Sequence, residues 1–248
     1  MRRHPPSCES VAGKAGADAS IYQIAFHFER IMTTPNVRLV LPGKPRSVVG
    51  TFFRAMRLFT HDKSYVRTLG QLRSFRENRC VDADGNPLPW LNYSLIHFLQ
   101  ERLHRDVKVF EYGSGYSTLF FSQFVTELTS IDHVPEWASL VNDRLTKPGH
   151  KVISHSNPHA YVNALPDDQD LVLVDGIHRP EALVHAAQRI SPAGVVILDD
   201  CHRADYQDAI EATQAWGFKR LTFVGPRPQS LGLGQTSVFY RSENCLQL

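Results

Sequence analysis

From Val107 onward the chain alternates short apolar runs with amphipathic segments, and this rhythm restricts the fold more than any other feature. VKVFEYG is followed by TLFFSQFV, ELTSIDH by EWASLVNDRL, HKVISHS by AYVNAL, DLVLVDG by RPEALVHAAQRI and GVVILDD by YQDAIEATQAW; KRLTFVG and TSVFYRS close the series. Short runs rich in β-branched residues read as buried strands, and the segments between them carry helical spacing. A helical crossover brings each new strand in parallel to the last. The prediction is an α/β fold, a Rossmann-like doubly wound sheet of seven strands that is mostly parallel with an antiparallel last strand. The final pair is antiparallel because PRPQSLGLGQ between the two runs has no helical period.

The part ahead of Val107 has a different character. Residues 1–20 are rich in Gly, Ala, Ser and Pro and read as a flexible N-terminus. IYQIAFHFERIM, Ile21 to Met32, has helical apolar spacing, and LVLPGKPRS breaks it. VVGTFFRAMRLF then places Val48, Val49, Phe52, Phe53, Met56 and Phe59 on one helical face, with Arg54 and Arg57 elsewhere on the circumference. Such a basic amphipathic helix packs on the main domain or, through residues 48–59, makes peripheral contact with an anionic membrane. DADGNPLPW is a turn-rich loop, and LNYSLIHFLQERL is a helix with Leu95, Phe98, Leu99 and Leu103 facing inward. Residues 21–106 are thus expected to be a basic, mainly helical extension and pocket lid, and residues 107–248 the ligand-binding domain.

Charge separates the same regions. Residues 1–79 hold 14 Lys and Arg against 5 Asp and Glu, and residues 80–248 hold 13 against 20. The basic part has neither the aromatic platforms of single-strand binders nor a nucleic-acid motif, so nucleic acid is not the expected partner. No run approaches the roughly 18 apolar residues of a membrane span, and no apolar stretch follows MRRHPPSCES, so a cytoplasmic location is expected. Cys8, Cys80, Cys201 and Cys245 are scattered without CxxC spacing and read as free thiols.

The first core strand runs into EYGSGYST. In an open α/β sheet the ligand sits beyond the carboxyl ends of the strands, beside the switch point, so this loop is where a cofactor is expected. Gly113 and Gly115 let backbone N–H groups approach a ligand closely. A dinucleotide fingerprint would want a third glycine where Thr118 stands, and the Glu111 carboxylate repels phosphate while attracting an ammonium group. These residues resemble the acidic-x-Gly-x-Gly signature of the class I S-adenosylmethionine-dependent methyltransferases, and the resemblance extends over roughly Val107 to Arg241. It implies that Glu111, Gly113, Ser114, Gly115 and Thr118 belong to the cofactor site and that Asp132, closing the second strand, accepts hydrogen bonds from the ribose hydroxyls. His133, beside Asp132, reads as a shelf for the adenine rather than a catalytic group. EYGSGYST, DADGNPLPW and SVFYRSENCL together resemble a group of small bacterial methyltransferase-like proteins.

Two acidic strand ends remain, DLVLVDGIH and GVVILDD. Adjacent strands lie about 4.8 Å apart, so Asp175 and either Asp199 or Asp200 can converge on one small volume suited to Mg²⁺. Asp199 and Asp200 both ligate only if the chain turns there. A DG motif, paired acids on the next strand and a histidine three residues after the first aspartate, here His178, resemble the metal-dependent sugar O-methyltransferases. The resemblance implies His178 as a general base and Asp175, Asp199 and Asp200 as metal ligands. Alternatively, Asp175 caps the following helix or reaches the cofactor's amino group through water. His202 and Arg203 are candidates for contact with an acidic or sugar substrate, and also read as loop residues. Pro89, Trp90, Asn92 and Tyr93 are candidates to roof the pocket, with Trp90 suited to a sugar ring.

The expected function is therefore O-methylation of a small-molecule or glycan hydroxyl with S-adenosylmethionine as cofactor and possible Mg²⁺ assistance. The alternative from another class is a non-catalytic nucleotide-binding or scaffold protein attached to membrane or nucleic acid through its basic N-terminal region. A nicotinamide-linked oxidoreductase is the third reading, disfavoured by Thr118 and Glu111.

Overall fold

The computed structural model describes residues 47–248, of which Phe52–Leu248 form one compact unit. The expected flexible stretch 1–20 and helix Ile21–Met32 lie outside the described residues. In chain order the helices are α1 (Val48–Thr60), α2 (Tyr65–Thr68), α3 (Gln71–Glu77), α4 (Tyr93–Arg102), α5 (Tyr116–Phe124), α6 (Pro135–Asn142), α7 (Pro158–Val162), α8 (Arg179–Arg189) and α9 (Gln207–Ala215). The strands are β1 (Lys108–Tyr112), β2 (Glu127–Asp132), β3 (His150–Ser154), β4 (Leu171–Val174), β5 (Val195–Leu198), β6 (Lys219–Pro226) and β7 (Leu233–Tyr240).

Among the described residues seven strands form one sheet in the order β3-β2-β1-β4-β5-β7-β6. Strands β1 to β5 are parallel, and β7 runs antiparallel to both β5 and β6. This is the doubly wound arrangement that the alternating runs predict. The chain winds outward from β1 to β3, then restarts on the other side of β1 with β4, which opens a crevice at the carboxyl ends of β1, β2 and β4.

Both faces of the sheet are covered, so the central strands are apolar throughout: LVLV of β4 and VVIL of β5 are buried at every position. Phe110, Tyr112, Val172 and Val174 pack on one side with Leu183 and Ala186 of α8. Val109, Leu171 and Leu173 pack on the other with Phe120 and Phe121 of α5 and with Leu95, Ile96 and Leu99 of α4. The helix ahead of Val107 is thus part of the same core, and Phe98 is only partly buried at its edge. Burying each such side chain stabilises the fold by about 1.5–3 kcal/mol relative to leaving it in water. Asn92 caps α4, its Oδ1 accepting from Leu95 N at 3.0 Å, while its Nδ2 donates to Phe223 O and Thr236 Oγ1.

The turn at DADGNPLPW is organised by one side chain, because Asp82 Oδ1 accepts from the N–H groups of Asp84, Gly85 and Asn86 at 2.9, 2.7 and 2.8 Å. Helix α1 forms where its spacing predicts it, yet none of its side chains is buried. Phe52, Phe53, Met56 and Phe59 are exposed rather than packed on the sheet domain.

Candidate active site

The strand register lines up the ends of four strands. Tyr112 pairs with Ile131 on one side and Val174 on the other, and Val174 pairs with Leu198. The next residue on each strand is therefore Gly113, Asp132, Asp175 or Asp199. A glycine and three acids stand at one level, spaced by the strand separation of about 4.8 Å.

Gly113 has φ +94°, and a Cβ there would come within 3.0 Å of the Gly176 backbone. It lets the loops after β1 and β4 touch. Gly115 is extended, and a Cβ would meet only the Trp137 ring, at 3.9 Å, so its side faces open space. Between them, Ser114 is held against the end of β2: its N–H and its hydroxyl both donate to Asp132 Oδ2 at 3.0 Å. Trp137 Nε1 donates to Ser114 O at 2.8 Å. The other Asp132 oxygen accepts from Val134 N at 3.0 Å and lies 3.4 Å from His133 Nδ1. Gly113, Ser114, Ser117, Asp132, His133, Asp175, Gly176 and Ile177 surround a hollow of about 290 Å³.

Glu111 lies behind this wall and not at the mouth of the loop. It is fully buried, and its Oε2 accepts from Thr118 Oγ1 at 2.5 Å and Ser130 Oγ at 2.6 Å. Thr118, also fully buried, in turn accepts from Gly115 N at 3.0 Å. Glu111 and Thr118, both expected at the cofactor site, are buried behind the glycine loop and together brace it from below. The reason is strand alternation, which points Glu111 into the face covered by α5. Burial pushes the Glu111 carboxyl up to about 7, against the hydroxyls of Ser117, Ser130 and Thr118, which hold it down. Its Oε1 has no hydrogen-bond partner among the described residues.

Asp175, Asp199 and Asp200 come together as the strand ends predict, but the cation among them is Arg179. Its Nη2 lies 2.9 Å from Asp175 Oδ1 and donates to Asp175 O at 3.0 Å. Its Nη1 donates to Asp200 Oδ2 at 3.3 Å and Asp199 O at 3.2 Å, and its Nε donates to Gly176 O at 3.0 Å. Arg227 reaches the same acids at 3.6 Å from Asp199 and 3.4 Å from Asp200, with its guanidinium 5.3 Å from the Trp90 ring. Asp200 adopts φ +52°, the turn that allows both neighbouring acids to face the arginines. Thr236 Oγ1 donates to Asp199 Oδ1 at 2.5 Å.

This arrangement does not fit the expected Mg²⁺. The carboxylates are already engaged by guanidinium groups, and among the described residues no group of three His, Cys, Asp or Glu side chains is placed to hold a metal ion. The charges still crowd. Burial pushes the Asp175 carboxyl well above the usual carboxylate range, the Asp199 charge adds to this, and Arg179 opposes it. Asp199 is raised by burial as well, against the Thr236 hydrogen bond and both arginines.

Of the remaining candidates, His178 is half-buried at φ +52°, directly after the hollow's Ile177, and edge-on to the buried Tyr161 ring at 6.4 Å between centroids. It, and not Asp175, is the residue preceding the first turn of α8. Arg203 folds onto Tyr206 and Asp205, and His202 is exposed. Of the expected roof, Tyr93 is buried in the core, Asn92 serves as a helix cap and Pro89 is buried, while Trp90 is exposed with its ring beside the Arg227 guanidinium. Sequence reasoning missed Trp137, Arg179 and Arg227. Arg179 carried a signal, since it follows Asp175 by four residues at a helix start; Arg227, in the irregular connection after β6, carried none.

The strand order and the hollow at its switch point are those of a Rossmann-like α/β domain with a ligand site beyond the carboxyl ends of its central strands. Residues 110–201, which take in the ends of β1, β2, β4 and β5, match the family model described as a methyltransferase domain. Similar solved structures include a precorrin-6y C5,15-methyltransferase from Geobacter metallireducens GS-15 with 16% identity, covering 60% of this chain and 87% of that one, at a TM-score of 0.49. A methyltransferase from Pyrococcus furiosus has 13% identity over 76% of this chain and 98% of that one, with a TM-score of 0.47. The N-methyltransferase NodS from Bradyrhizobium japonicum WM9 has 13% identity over 60% and 92%, with a TM-score of 0.43. No curated protein matches the sequence.

The residues present fit S-adenosylmethionine. Asp132 stands at the wall with Oδ1 accepting one backbone hydrogen bond, from Val134, and so with acceptor capacity for a ribose hydroxyl; the loop is open beside Gly115, and His133 lies on the same wall.

Proposed function

We propose that this protein transfers the methyl group of S-adenosylmethionine to a hydroxyl of a small molecule or glycan. The observation that carries the reading is the single hollow bounded by the Gly113–Ser114 loop, Asp132 and Asp175. Asp132 accepts from the ribose hydroxyls, His133 shelves the adenine, and the loop from Gly113 to Gly115 takes the methionine part. When bound, the cofactor supplies an electrophilic methyl group on a sulfonium. A neutral alcohol is a weak nucleophile, so a group of the chain must take its proton. Asp175, on the wall of the hollow with its carboxyl raised by burial, and His178 beyond it are the residues placed for this. Trp90, 54% exposed over Arg227, offers an aromatic face to a sugar ring.

A cytoplasmic location belongs to the same proposal, because Cys80, Cys201 and Cys245 are free thiols. A second reading, attachment to an anionic membrane through residues 48–59, is favoured by the exposed Phe52, Phe53, Met56 and Phe59 beside Arg54 and Arg57. No helix among the described residues is long and apolar enough to cross a membrane. The deciding experiment is calorimetry with S-adenosylmethionine, followed by incubation of the full chain with labelled cofactor and cell extract and identification of the labelled product. Label on a hydroxyl oxygen supports the reading. Label on nitrogen or carbon overturns the oxygen assignment, and absence of cofactor binding overturns the enzyme reading in favour of a scaffold.

A further inference from the structure

We propose that Arg179 is the resident cation of the acidic cluster, standing where the strand-end aspartates would otherwise gather a divalent metal, and that it positions Asp175 at the wall of the hollow. The cation assignment is independent of the methyl acceptor; only the role given to Asp175 rests on the proposed function.

Three observations lead here. The Arg179 guanidinium spends its donors on oxygens of the two acidic strand ends: the carboxylates of Asp175 and Asp200 and the carbonyls of Asp175, Gly176 and Asp199. A planar fork satisfied in this way is fixed in place, whereas Mg²⁺ would need about 2.0–2.1 Å contacts in an octahedron from the same oxygens. Arg179 is also tethered as the first residue of α8, four residues after Asp175, and Pro180 follows it in the first helical turn. The cation arrives with the fold and no chelator can remove it.

The charge count points the same way. Three carboxylates face two guanidinium groups, and Arg227 is the looser partner, at 3.4 to 3.6 Å from its acids. A metal ion entering beside Arg179 would meet two fixed positive charges within a cluster too small to separate them. Removing Arg179 reverses the situation, because it leaves three converging carboxylates with one loosely held cation.

The test uses the full chain and Mn²⁺ as the probe, with bound and free metal separated by electron paramagnetic resonance and melting followed with and without EDTA. The wild-type chain is expected to bind no Mn²⁺ and to melt identically in EDTA. Arg179→Ala is expected to gain one-to-one Mn²⁺ binding, to melt lower than wild type and to recover part of that loss when Mn²⁺ is added. Arg179→Lys, which keeps the charge and loses the fork, is expected to bind no Mn²⁺ and to melt between the two. If Arg179→Ala does not fold, the wild-type and Arg179→Lys arms decide. Stoichiometric Mn²⁺ binding by wild type that Asp200→Asn abolishes, or by Arg179→Lys, overturns the proposal, as does a folded Arg179→Ala that binds none. In the same variants an unchanged affinity for S-adenosylmethionine beside a lowered kcat assigns the effect to Asp175 positioning. Equal loss of both, or loss of neither, removes the positioning role without touching the cofactor assignment.

Discussion

Asp132 accepts two hydrogen bonds from Ser114, one from its backbone N–H and one from its hydroxyl, both at 3.0 Å. The end of β2 therefore shapes the loop that follows β1, and the acid expected to hold the ribose is held ready by the loop that takes the rest of the cofactor. Asp132→Ala is expected to weaken S-adenosylmethionine binding by about 10- to 150-fold, the equivalent of ~1.5–3 kcal/mol for hydrogen bonds to a charged group. Ser114→Ala, which keeps the backbone donor, should cost less. Isothermal titration of both variants checks the order; equal affinity of Asp132→Ala and wild type would remove Asp132 from the site.

The two glycines of the loop should respond differently to the same substitution. Gly113→Ala puts a Cβ at positive φ and 3.0 Å from the Gly176 backbone, and is expected to destabilise the fold by about 1–3 kcal/mol. Gly115→Ala meets nothing closer than 3.9 Å and should change stability by less than about 0.5 kcal/mol while lowering cofactor affinity. Urea denaturation and calorimetry on the pair separate folding from binding.

Burial raises the folded-state pKa of Glu111 from 4.5 to about 7. Between these values the folded chain holds a proton that the unfolded chain has released, so this group makes stability fall as pH rises from about 4.5 to 7 and adds no slope above. The accumulated cost above pH 7 is about 3 kcal/mol. Glu111→Gln keeps an acceptor for Thr118 and Ser130 and cannot ionise. Its stability relative to wild type should therefore grow across that window and then level off, as read from denaturant midpoints at a series of pH values. A constant difference would show that Glu111 does not titrate there.

Proton removal from the acceptor divides between two residues. Asp175→Asn is expected to lower kcat by about 10²–10⁴-fold with little change in cofactor affinity, the range for loss of a positioned base. His178→Asn, chosen because Asn tolerates the left-handed backbone at φ +52°, should have the smaller effect because His178 is not on the wall of the hollow. Single-turnover kinetics with the identified acceptor measure both, and the reverse order would make His178 the base.

Thr236 is the hydroxyl donor to Asp199, whose residue is 3% exposed. Thr236→Val keeps the shape and leaves that carboxylate oxygen without its donor, an expected loss of about 1–3 kcal/mol. Thermal or urea denaturation would show it, and a neutral result would mean that water replaces the hydroxyl.

The sequence by itself determined the order of strands and helices, the parallel winding about β1, the antiparallel close, and the arrival of Gly113, Asp132, Asp175 and Asp199 at strand ends. These follow from local periods of two and 3.6 residues and from the geometry of helical crossovers, which neighbouring residues encode. Only the tertiary structure decided what those residues do. It turned Glu111 inward under α5 and filled the expected metal position with Arg179. It also brought Arg227 to Asp200 and Thr236 to Asp199 from 27 and 37 residues away, and set the Trp90 ring beside Arg227. Partnerships of this kind depend on which strand ends and connections meet in space and on how much water is left between them, and no local pattern records either.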